Sequence, residues 1–290
     1  MATSDYIIFS DSSCDLPDET LREWGVQTCQ LTVTFDGSDQ VFLNDELPVS
    51  EFYARMRSGQ VAKTSAVNSE AFHETFEKLL RDGNDILYIA FSSGLSATYN
   101  SACIAIEELR PLYPERKIVA VDTLCASAGF GLILDLAVQQ KRAGHSIEEV
   151  AQYVQDIRLN VAHWFTVDDL VYLKRGGRVD PKTAFVAGLL NIKPVLHVDD
   201  EGHLISMSKT RGRKNSLKAC ADKYEETALT PDSGLIYISH GDCYDDAKYL
   251  SDLLVAKHPA LKPIIVEIGP VIGSHSGPGT VALFFLASKR

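Results

Sequence analysis

The chain has 290 residues, with 28 lysines and arginines against 39 aspartates and glutamates, so its formal net charge is −11. A hydrophobic fraction of 45% is that of an ordinary globular protein and excludes disorder and collagen-like structure. The negative charge gives the protein as a whole no electrostatic reason to bind nucleic acid or anionic lipid surfaces.

The cysteines and the N-terminus indicate the compartment. The six cysteines are too far apart for a CxxC or zinc-ribbon motif, and the histidines lack metal-ligand spacing, so we expect free thiols and no metal site. The first residues, MATSDYIIFSD, have no basic region and an apolar run too short for a signal peptide or an anchor. We therefore expect a soluble, cytoplasmic protein with no integral membrane segment.

In the first half of the chain, apolar segments of strand length alternate with segments of helical period. This alternation predicts a parallel sheet covered by helices on both faces. Strands are predicted at residues 6–10, 85–91 and 117–122, and helices at 17–24, 50–58, 69–81, 96–109, 127–143 and 146–159. A hairpin signal at Asp36-Gly37 joins two short β segments, 31–35 and 41–43, which we expect to decorate this sheet.

The pattern changes after about residue 165. Strands are predicted at 192–197, 204–209, 234–240, 263–268 and 281–287, and helices at 214–226 and 245–257. The first two strands flank a turn at 199–202 and form an antiparallel hairpin. The predicted fold is a two-domain α/β protein: an N-terminal parallel-sheet α/β domain (1–163) with a small β insertion near 28–45, and a C-terminal α+β domain with a mixed sheet (164–290).

Hydroxyl-rich loops are the first candidate binding site. The segment from Ser92 to Tyr99 follows a buried strand and precedes a helix, at the strand end where open α/β sheets bind ligands. Hydroxyls and free helix amides there can hold a carboxylate or phosphate, although the same serines could simply cap the helix. Residues 63–68 and Asp11-Ser12-Ser13 are also hydroxyl-rich and are expected at equivalent β-to-α positions.

Residues 269–279 form a glycine-rich stretch between two strands, which we interpret as a loop. It lacks the lysine of a Walker A loop. Its centre resembles a nucleophile elbow, but His275 stands where a hydrolase needs serine, and no helix is expected to follow. From spacing alone His275 could be a ligand donor or an exposed loop histidine.

Two dense basic clusters interrupt the acidic chain, at residues 174–178 and 209–214. Such clusters are usually solvated surface. They could instead bind a phosphorylated partner or an acidic protein face, because the arginine fork matches phosphate and carboxylate geometry.

Six motifs, taken together, resemble the DegV family of bacterial fatty-acid-binding proteins, in the same order over nearly the whole chain. They are Asp11-Ser12-Ser13-Cys14-Asp15-Leu16-Pro17, Lys63-Thr64-Ser65, Ser92-Ser93-Gly94-Leu95-Ser96-Ala97-Thr98-Tyr99, Leu173-Lys174-Arg175-Gly176-Gly177-Arg178, Arg211-Gly212-Arg213-Lys214 and His275-Ser276-Gly277-Pro278-Gly279. The resemblance implies a two-domain α/β protein that holds one long-chain fatty acid in a tunnel between its domains, without another cofactor. Family members that are subunits of fatty acid kinase present this acid to a separate ATP-binding subunit, which forms the acyl-phosphate used in phospholipid metabolism.

Carried over by motif, the carboxylate-binding threonine of the family falls on Thr64. Its serine falls on Ser96, with Ser93 as the other candidate, and its histidine on His275. The arginine of the Gly-Gly-Arg segment falls on Arg175 or Arg178. The chain departs from the family pattern at Ala66-Val67, where many relatives have Gln-Pro, and at Ala97, where glycine is common. These departures leave the head-group geometry and the acyl-chain preference open.

The leading hypothesis is thus a non-enzymatic fatty-acid carrier. In this hypothesis the arginines face the kinase partner or its phosphate: Arg175, Arg178, Arg211 and Arg213. The alternative from another class is an acyl-ester hydrolase with Ser93 or Ser96 as nucleophile and His275 as base. A nucleic-acid-binding regulator conflicts with the net charge and lacks interleaved aromatic and basic residues.

Overall fold

A computed structural model describes residues 6–179 and 191–290 of the protein. Its strands are β1 (Tyr6–Asp11), β2 (Gln27–Cys29), β3 (Thr32–Phe35), β4 (Val41–Leu43), β5 (Ala62–Ser65), β6 (Asp85–Ala90), β7 (Ile118–Asp122), β8 (Val161–Thr166), β9 (Ile192–Val198), β10 (Leu204–Arg211), β11 (Ile236–His240), β12 (Ile264–Glu267) and β13 (Val281–Leu286). Its α-helices are α1 (Asp18–Trp24), α2 (Val49–Arg57), α3 (Ser69–Arg81), α4 (Thr98–Leu109), α5 (Ser127–Arg142), α6 (Ile147–Ile157), α7 (Val171–Arg175), α8 (Arg213–Thr227), α9 (Tyr244–Lys257) and α10 (Pro270–Ser276). Across these two ranges, no helix combines the length and the apolarity that a membrane crossing requires.

The first sheet is parallel, as the alternating pattern predicts, with strand order β2-β1-β6-β7. Every residue of β6 is buried, because helices cover both faces of the sheet. The apolar faces of α3 and α4 pack with one set of β6 side chains, and those of α5 and α6 pack with the other set. This sandwich accounts for the continuous apolar run that predicts the strand.

The small β segment forms the predicted hairpin but does not join the parallel sheet. β3 pairs antiparallel with β4 on one side and with β5 on the other, giving a separate three-stranded sheet. Thr64 lies in β5, opposite Val33. The prediction that residues 63–65 occupy a β-to-α loop of the main sheet is therefore wrong, because β5 completes the hydrogen bonding of β3 instead.

The second sheet is mixed and has strand order β10-β9-β8-β13-β11-β12. The predicted β9–β10 hairpin is confirmed, and of the strands described in this sheet only β11 and β12 pair in parallel. One face of the sheet packs under α8 and α9, and the other faces α5 of the first half. The sequence analysis missed β8, which crosses the predicted domain boundary between residues 163 and 164 and belongs entirely to this sheet.

The glycine-rich stretch predicted as a loop contains a helix, α10, which is a correction of that prediction. Pro270 occupies the first turn, where its missing N–H costs nothing. Gly273 lies inside the helix because a Cβ there would come within 2.6 Å of the Tyr53 hydroxyl oxygen. Gly277, at a φ of +81°, ends the helix. Close packing therefore explains the glycines that suggested a loop.

Asp15 joins the two halves of the molecule. Its buried carboxylate accepts a hydrogen bond from the Ser127 hydroxyl (2.5 Å), at the start of α5, and one from the Gly269 N–H (2.9 Å), at the start of α10. Burial raises the pKa of Asp15 from 3.8 to about 7, and these two donors oppose the shift. The side chain of Asn44 adds a contact by accepting a hydrogen bond from the Val271 N–H at 2.9 Å.

We expect Asp15 to make stability depend on pH. Because its pKa is higher in the folded chain, the folded state binds this proton more tightly than the unfolded state. Its contribution to the free energy of unfolding is therefore fully present below about pH 4. The contribution is lost as the pH rises through about 7.

The test is urea unfolding at pH 5 and pH 8 of the wild type and of Asp15→Asn. Asparagine can accept from the Gly269 N–H and donate to Ser127, but it does not titrate. The wild type should lose more stability between the two pH values than Asp15→Asn does. Asp18→Asn, at an exposed position nearby, serves as the control and should behave as the wild type. Equal losses in the wild type and Asp15→Asn would contradict the expectation.

Candidate ligand-binding site

A cavity with a volume of about 220 Å³ lies between the two halves and is partly open to solvent. Fifteen of its 24 lining residues are apolar, from Leu31 in the first half to Phe284 in the second. The polar lining residues are Ser13, Thr64, Ser96, Ser127, His163, Arg178, His275, Ser276 and Thr280. Pockets with mainly apolar walls and a few polar groups are typical of sites for small organic ligands.

Thr64 and His275, which are 211 positions apart in the chain, meet at this cavity. The Thr64 Oγ1 and His275 Nε2 atoms are 2.8 Å apart and share a hydrogen bond. β5 carries Thr64, and the last turn of α10 carries His275. The small antiparallel sheet and α10 thus bring together two residues that the motif carry-over assigns to one site.

His275 is held as a neutral imidazole. Burial, assisted by the nearby positive charge of Arg178, lowers its pKa to about 4. Its Nδ1 atom is buried and has no hydrogen-bond partner among the described residues. A side chain at Gly176 would collide with that nitrogen, so the glycine of the first basic cluster makes room for the ring.

Three serines of the Ser92–Tyr99 segment have different environments. The Ser92 hydroxyl is buried and donates to the Gly202 carbonyl at 2.9 Å, which ties the segment to the β9–β10 turn. Ser93 does not line the cavity, and its N–H donates to the Asp122 carboxylate at 3.2 Å. Ser96 lines the cavity, and its Oγ lies 2.9 Å from the Thr98 Oγ1 atom.

Arg178 also lines the cavity, half-buried. Its Nε–H donates to the Leu95 carbonyl at 3.1 Å, and Nη1 donates to the Gly176 carbonyl. Burial lowers its pKa, but an arginine stays protonated at any physiological pH. The guanidinium thus places a fixed positive charge beside His275 and the segment that carries Ser96.

The other three arginines of the basic clusters lie outside the cavity lining. Arg175 is exposed, with its guanidinium 5.7 Å from the centre of the Tyr172 ring, and Arg211 is exposed on β10. Arg213 is half-buried and forms an ion pair with Asp246 at 2.8 Å. Only two of the four arginines are therefore exposed.

The arrangement does not support the hydrolase alternative. The described residues show no hydrogen bond from His275 to Ser93 or Ser96, since its Nε2 is bonded to Thr64. The opposite ring nitrogen, which an orienting carboxylate would contact in a catalytic triad, has no hydrogen-bond partner in that part of the chain. In residues 6–179 and 191–290, no group of three or more His, Cys, Asp or Glu side chains is placed to hold a metal ion.

Ser13, from the predicted hydroxyl-rich segment at residues 11–13, and Ser127, which no motif indicates, form a second polar group in the cavity. The Ser13 hydroxyl donates to the Asp11 carboxylate, and the Ser127 hydroxyl donates to Asp15. The Ser239 Oγ lies 3.1 Å from the Ser127 Oγ. Ser127 begins a helix just after β7, so its β-to-α position could have indicated it as it did the other hydroxyl-rich loops.

Known proteins resemble the chain over nearly its whole length. A DegV domain-containing protein of Clostridium perfringens is 41% identical over 286 residues, which are 98% of each chain. A DegV lipid-binding protein of Thermotoga maritima has a solved structure that matches with a TM-score of 0.85 and 30% identity, covering 99% of both chains. A DegV family protein of Thermus thermophilus, whose structure is described as showing fatty-acid binding, matches with a TM-score of 0.87 and 29% identity over 98% of this chain and 99% of that one.

The family model described as "Uncharacterised protein, DegV family" matches residues 6–288. The predicted two-part α/β fold, with a parallel sheet followed by a mixed sheet, is the fold of these solved relatives. The chain therefore belongs to the DegV family.

Proposed function

We propose that the protein binds one long-chain fatty acid in the cavity between its two halves, with the carboxylate at Thr64, Ser96 and His275. The observation that carries the proposal is the Thr64–His275 hydrogen bond beside a mainly apolar cavity. The descriptions of the Thermotoga and Thermus relatives, which name lipid and fatty-acid binding, support the same class of ligand.

The polar groups at this end of the cavity suit a carboxylate. Ser96 supplies one hydroxyl donor. The neutral His275 donates its Nε2–H to the Thr64 oxygen, which leaves the Thr64 hydroxyl free to donate to the carboxylate. The positive charge of Arg178 offsets the desolvation penalty of a partly buried carboxylate. Hydrogen bonds to a charged group are also stronger than those between neutral groups. The apolar walls then receive the acyl chain, since each buried methylene contributes about 0.8 kcal/mol.

Thr64→Ala and Ser96→Ala should each weaken binding of octadecanoic acid about 10- to 100-fold. A hydrogen bond to a charged group contributes about 1.5–3 kcal/mol, and this loss leaves the acyl-chain contacts intact. Titration calorimetry with delipidated protein measures the effect. Ser93→Ala is the matched control and should bind as the wild type, because Ser93 lies outside the cavity lining.

Two results would contradict this assignment. A delipidated wild type that binds no fatty acid of any chain length removes the proposed function. Equal weakening by Ser93→Ala and Ser96→Ala leaves the function standing but removes Ser96 from the head-group site. Thermal unfolding of each variant separates lost binding from lost folding.

We further propose that the bound acid is presented to a separate ATP-binding kinase subunit. There a carboxylate oxygen takes the γ-phosphoryl group of ATP and ADP leaves. Arg175 is exposed and is adjacent in sequence to Gly176, whose backbone packs against His275. It therefore offers a surface cation close to the proposed head group. Arg211 offers a second exposed cation, whereas Arg213 is engaged with Asp246.

Arg175→Ala and Arg211→Ala should lower acyl-phosphate formation at least tenfold and leave octadecanoic acid binding unchanged. The assay combines loaded protein, ATP and the kinase subunit from the same organism, and measures acyl-phosphate. Arg178→Ala should lower binding as well, because Arg178 lines the cavity. Arg22→Ala, an exposed arginine on α1, is the control. Full acyl-phosphate formation by both surface variants would exclude them from the partner contact.

All six cysteines are unpaired, and burial raises the pKa of five of them. Free thiols persist in a reducing compartment. This state supports the cytoplasm as the place where the protein works.

The strand pairing also leads us to propose a domain boundary just before Val161, which keeps β8 whole.

A further inference from the structure

The cavity has a polar group at each end of α10. His275, in the last turn of the helix, belongs to the proposed head-group site. Gly269, which precedes the first turn, donates its N–H to Asp15, and Asp15 accepts the hydroxyl of Ser127. Ser127 lines the cavity together with Ser13, and both residues are almost completely buried.

The hydrogen bonds of these serines leave acceptors and no donors for a ligand. A serine hydroxyl has one proton and two lone pairs. Ser127 gives its proton to ionised Asp15, so the Ser239 hydroxyl must donate to Ser127, which leaves one lone pair on Ser127. Ser13 gives its proton to Asp11, and the described residues show no donor to its oxygen. A ligand group that matches this site must therefore be a hydrogen-bond donor.

The position of this group along a bound acyl chain follows from the helix. Gly269 and His275 are six residues apart, which is about 9 Å at 1.5 Å per residue. An extended chain advances about 1.2 Å per bond, so an acyl chain that runs from a carboxylate at His275 along α10 places roughly its eighth to tenth carbon near the start of the helix. The second polar group therefore faces the middle of a long acyl chain.

We infer that Ser127 and Ser13 form a second subsite, which receives a hydroxyl group carried near the middle of a long-chain fatty acid. The inference rests on the proposed function and narrows its substrate class to include mid-chain hydroxy acids. The subsite accepts a hydroxyl, which donates, and gives no hydrogen bond to a ketone at the same carbon. A terminal hydroxyl is too far from it to benefit.

The experiment is competition at pH 8, where Asp15 is mainly ionised, read by native mass spectrometry of delipidated protein. The protein is offered equimolar pairs of octadecanoic acid with 10-hydroxyoctadecanoic, 10-oxooctadecanoic or 18-hydroxyoctadecanoic acid. The wild type should take up the 10-hydroxy acid in about three- to tenfold excess over the 10-oxo and 18-hydroxy acids, each relative to octadecanoic acid.

Ser127→Ala should abolish this preference, so that the 10-hydroxy, 10-oxo and 18-hydroxy acids are taken up equally relative to octadecanoic acid. Ser13→Ala is the second variant, in case Ser127→Ala folds poorly, because Asp11 still accepts from the Tyr88 hydroxyl and the Phe91 N–H. Ser274→Ala is the matched control: Ser274 is a buried serine of α10 whose hydroxyl donates to the Pro270 carbonyl and which does not line the cavity. It should keep the preference.

The outcomes separate this inference from the proposed function. Binding of octadecanoic acid without a preference for the 10-hydroxy acid overturns the subsite and leaves the carrier function standing. A preference that survives in both Ser127→Ala and Ser13→Ala overturns it as well. A wild type that binds none of the acids overturns the carrier function itself.

Discussion

The anchoring of α10 is the constraint on which the cavity depends. Its first turn is fixed by two side chains from the first half of the chain, Asp15 after β1 and Asn44 after β4. Its last turn carries His275 against Thr64 of the small sheet. Because α10 belongs to the second half of the chain and all three of these contacts to the first, the cavity exists only while the two halves are docked. A helix of seven residues could not hold this position by its own stability, since isolated short helices are marginal in water.

The interface between the two halves contains a buried carboxylate, Asp15, whose ionised form is destabilised by loss of contact with water. Asp15 is buried, and within residues 6–179 and 191–290 its partners are a hydroxyl and an amide, with no positive charge among them. A buried carboxylate in such surroundings is partly neutralised near pH 7, unlike a carboxylate in an ion pair. The cavity end at His275 follows a different principle, because there the imidazole is neutral and Arg178 provides the fixed charge. The two ends of α10 thus differ in charge. The first turn lies beside the buried carboxylate of Asp15, and the last turn lies beside the positive guanidinium of Arg178.

The hydrophobic pattern predicts most of the helices and strands because their burial is regular. The run of β6 and the one-sided apolar face of α3 are examples. The hydrophobic pattern does not predict an element whose residues are determined by close packing against distant segments. α10 reads as a loop because its glycine content is dictated by Tyr53 and Tyr172 from distant segments, and no local signal carries that information. β8 and β5 lie outside the predicted strands. β8 spans the expected domain boundary, and β5 depends on pairing with β3, a partner far away in sequence.

The candidate site was accessible from the sequence only through motif resemblance. No spacing rule relates Thr64 to His275, whose hydrogen bond spans 211 positions, and composition alone left His275 open as a surface residue. The resemblance brought the two together but treated Arg178 as equivalent to Arg175. Their environments differ because the chain turns at Gly176 and Gly177, which directs one arginine to solvent and the other into the cavity.

The three serines that follow β6 show why a motif is too coarse to assign a role to each of its residues. All three share the composition and the β-to-α position that predict anion binding, yet only Ser96 lines the cavity. The Ser92 hydroxyl donates its proton to the Gly202 carbonyl of the β9–β10 turn. This partner is 110 positions away, so no local sequence pattern predicts it. The second half of the chain thus decides that the Ser92 hydroxyl is unavailable to a ligand. The same reasoning identifies Ser127 as a residue that a ligand can reach. Asp15 and Ser239, from opposite halves of the chain, orient its hydroxyl, and its remaining lone pair faces the cavity.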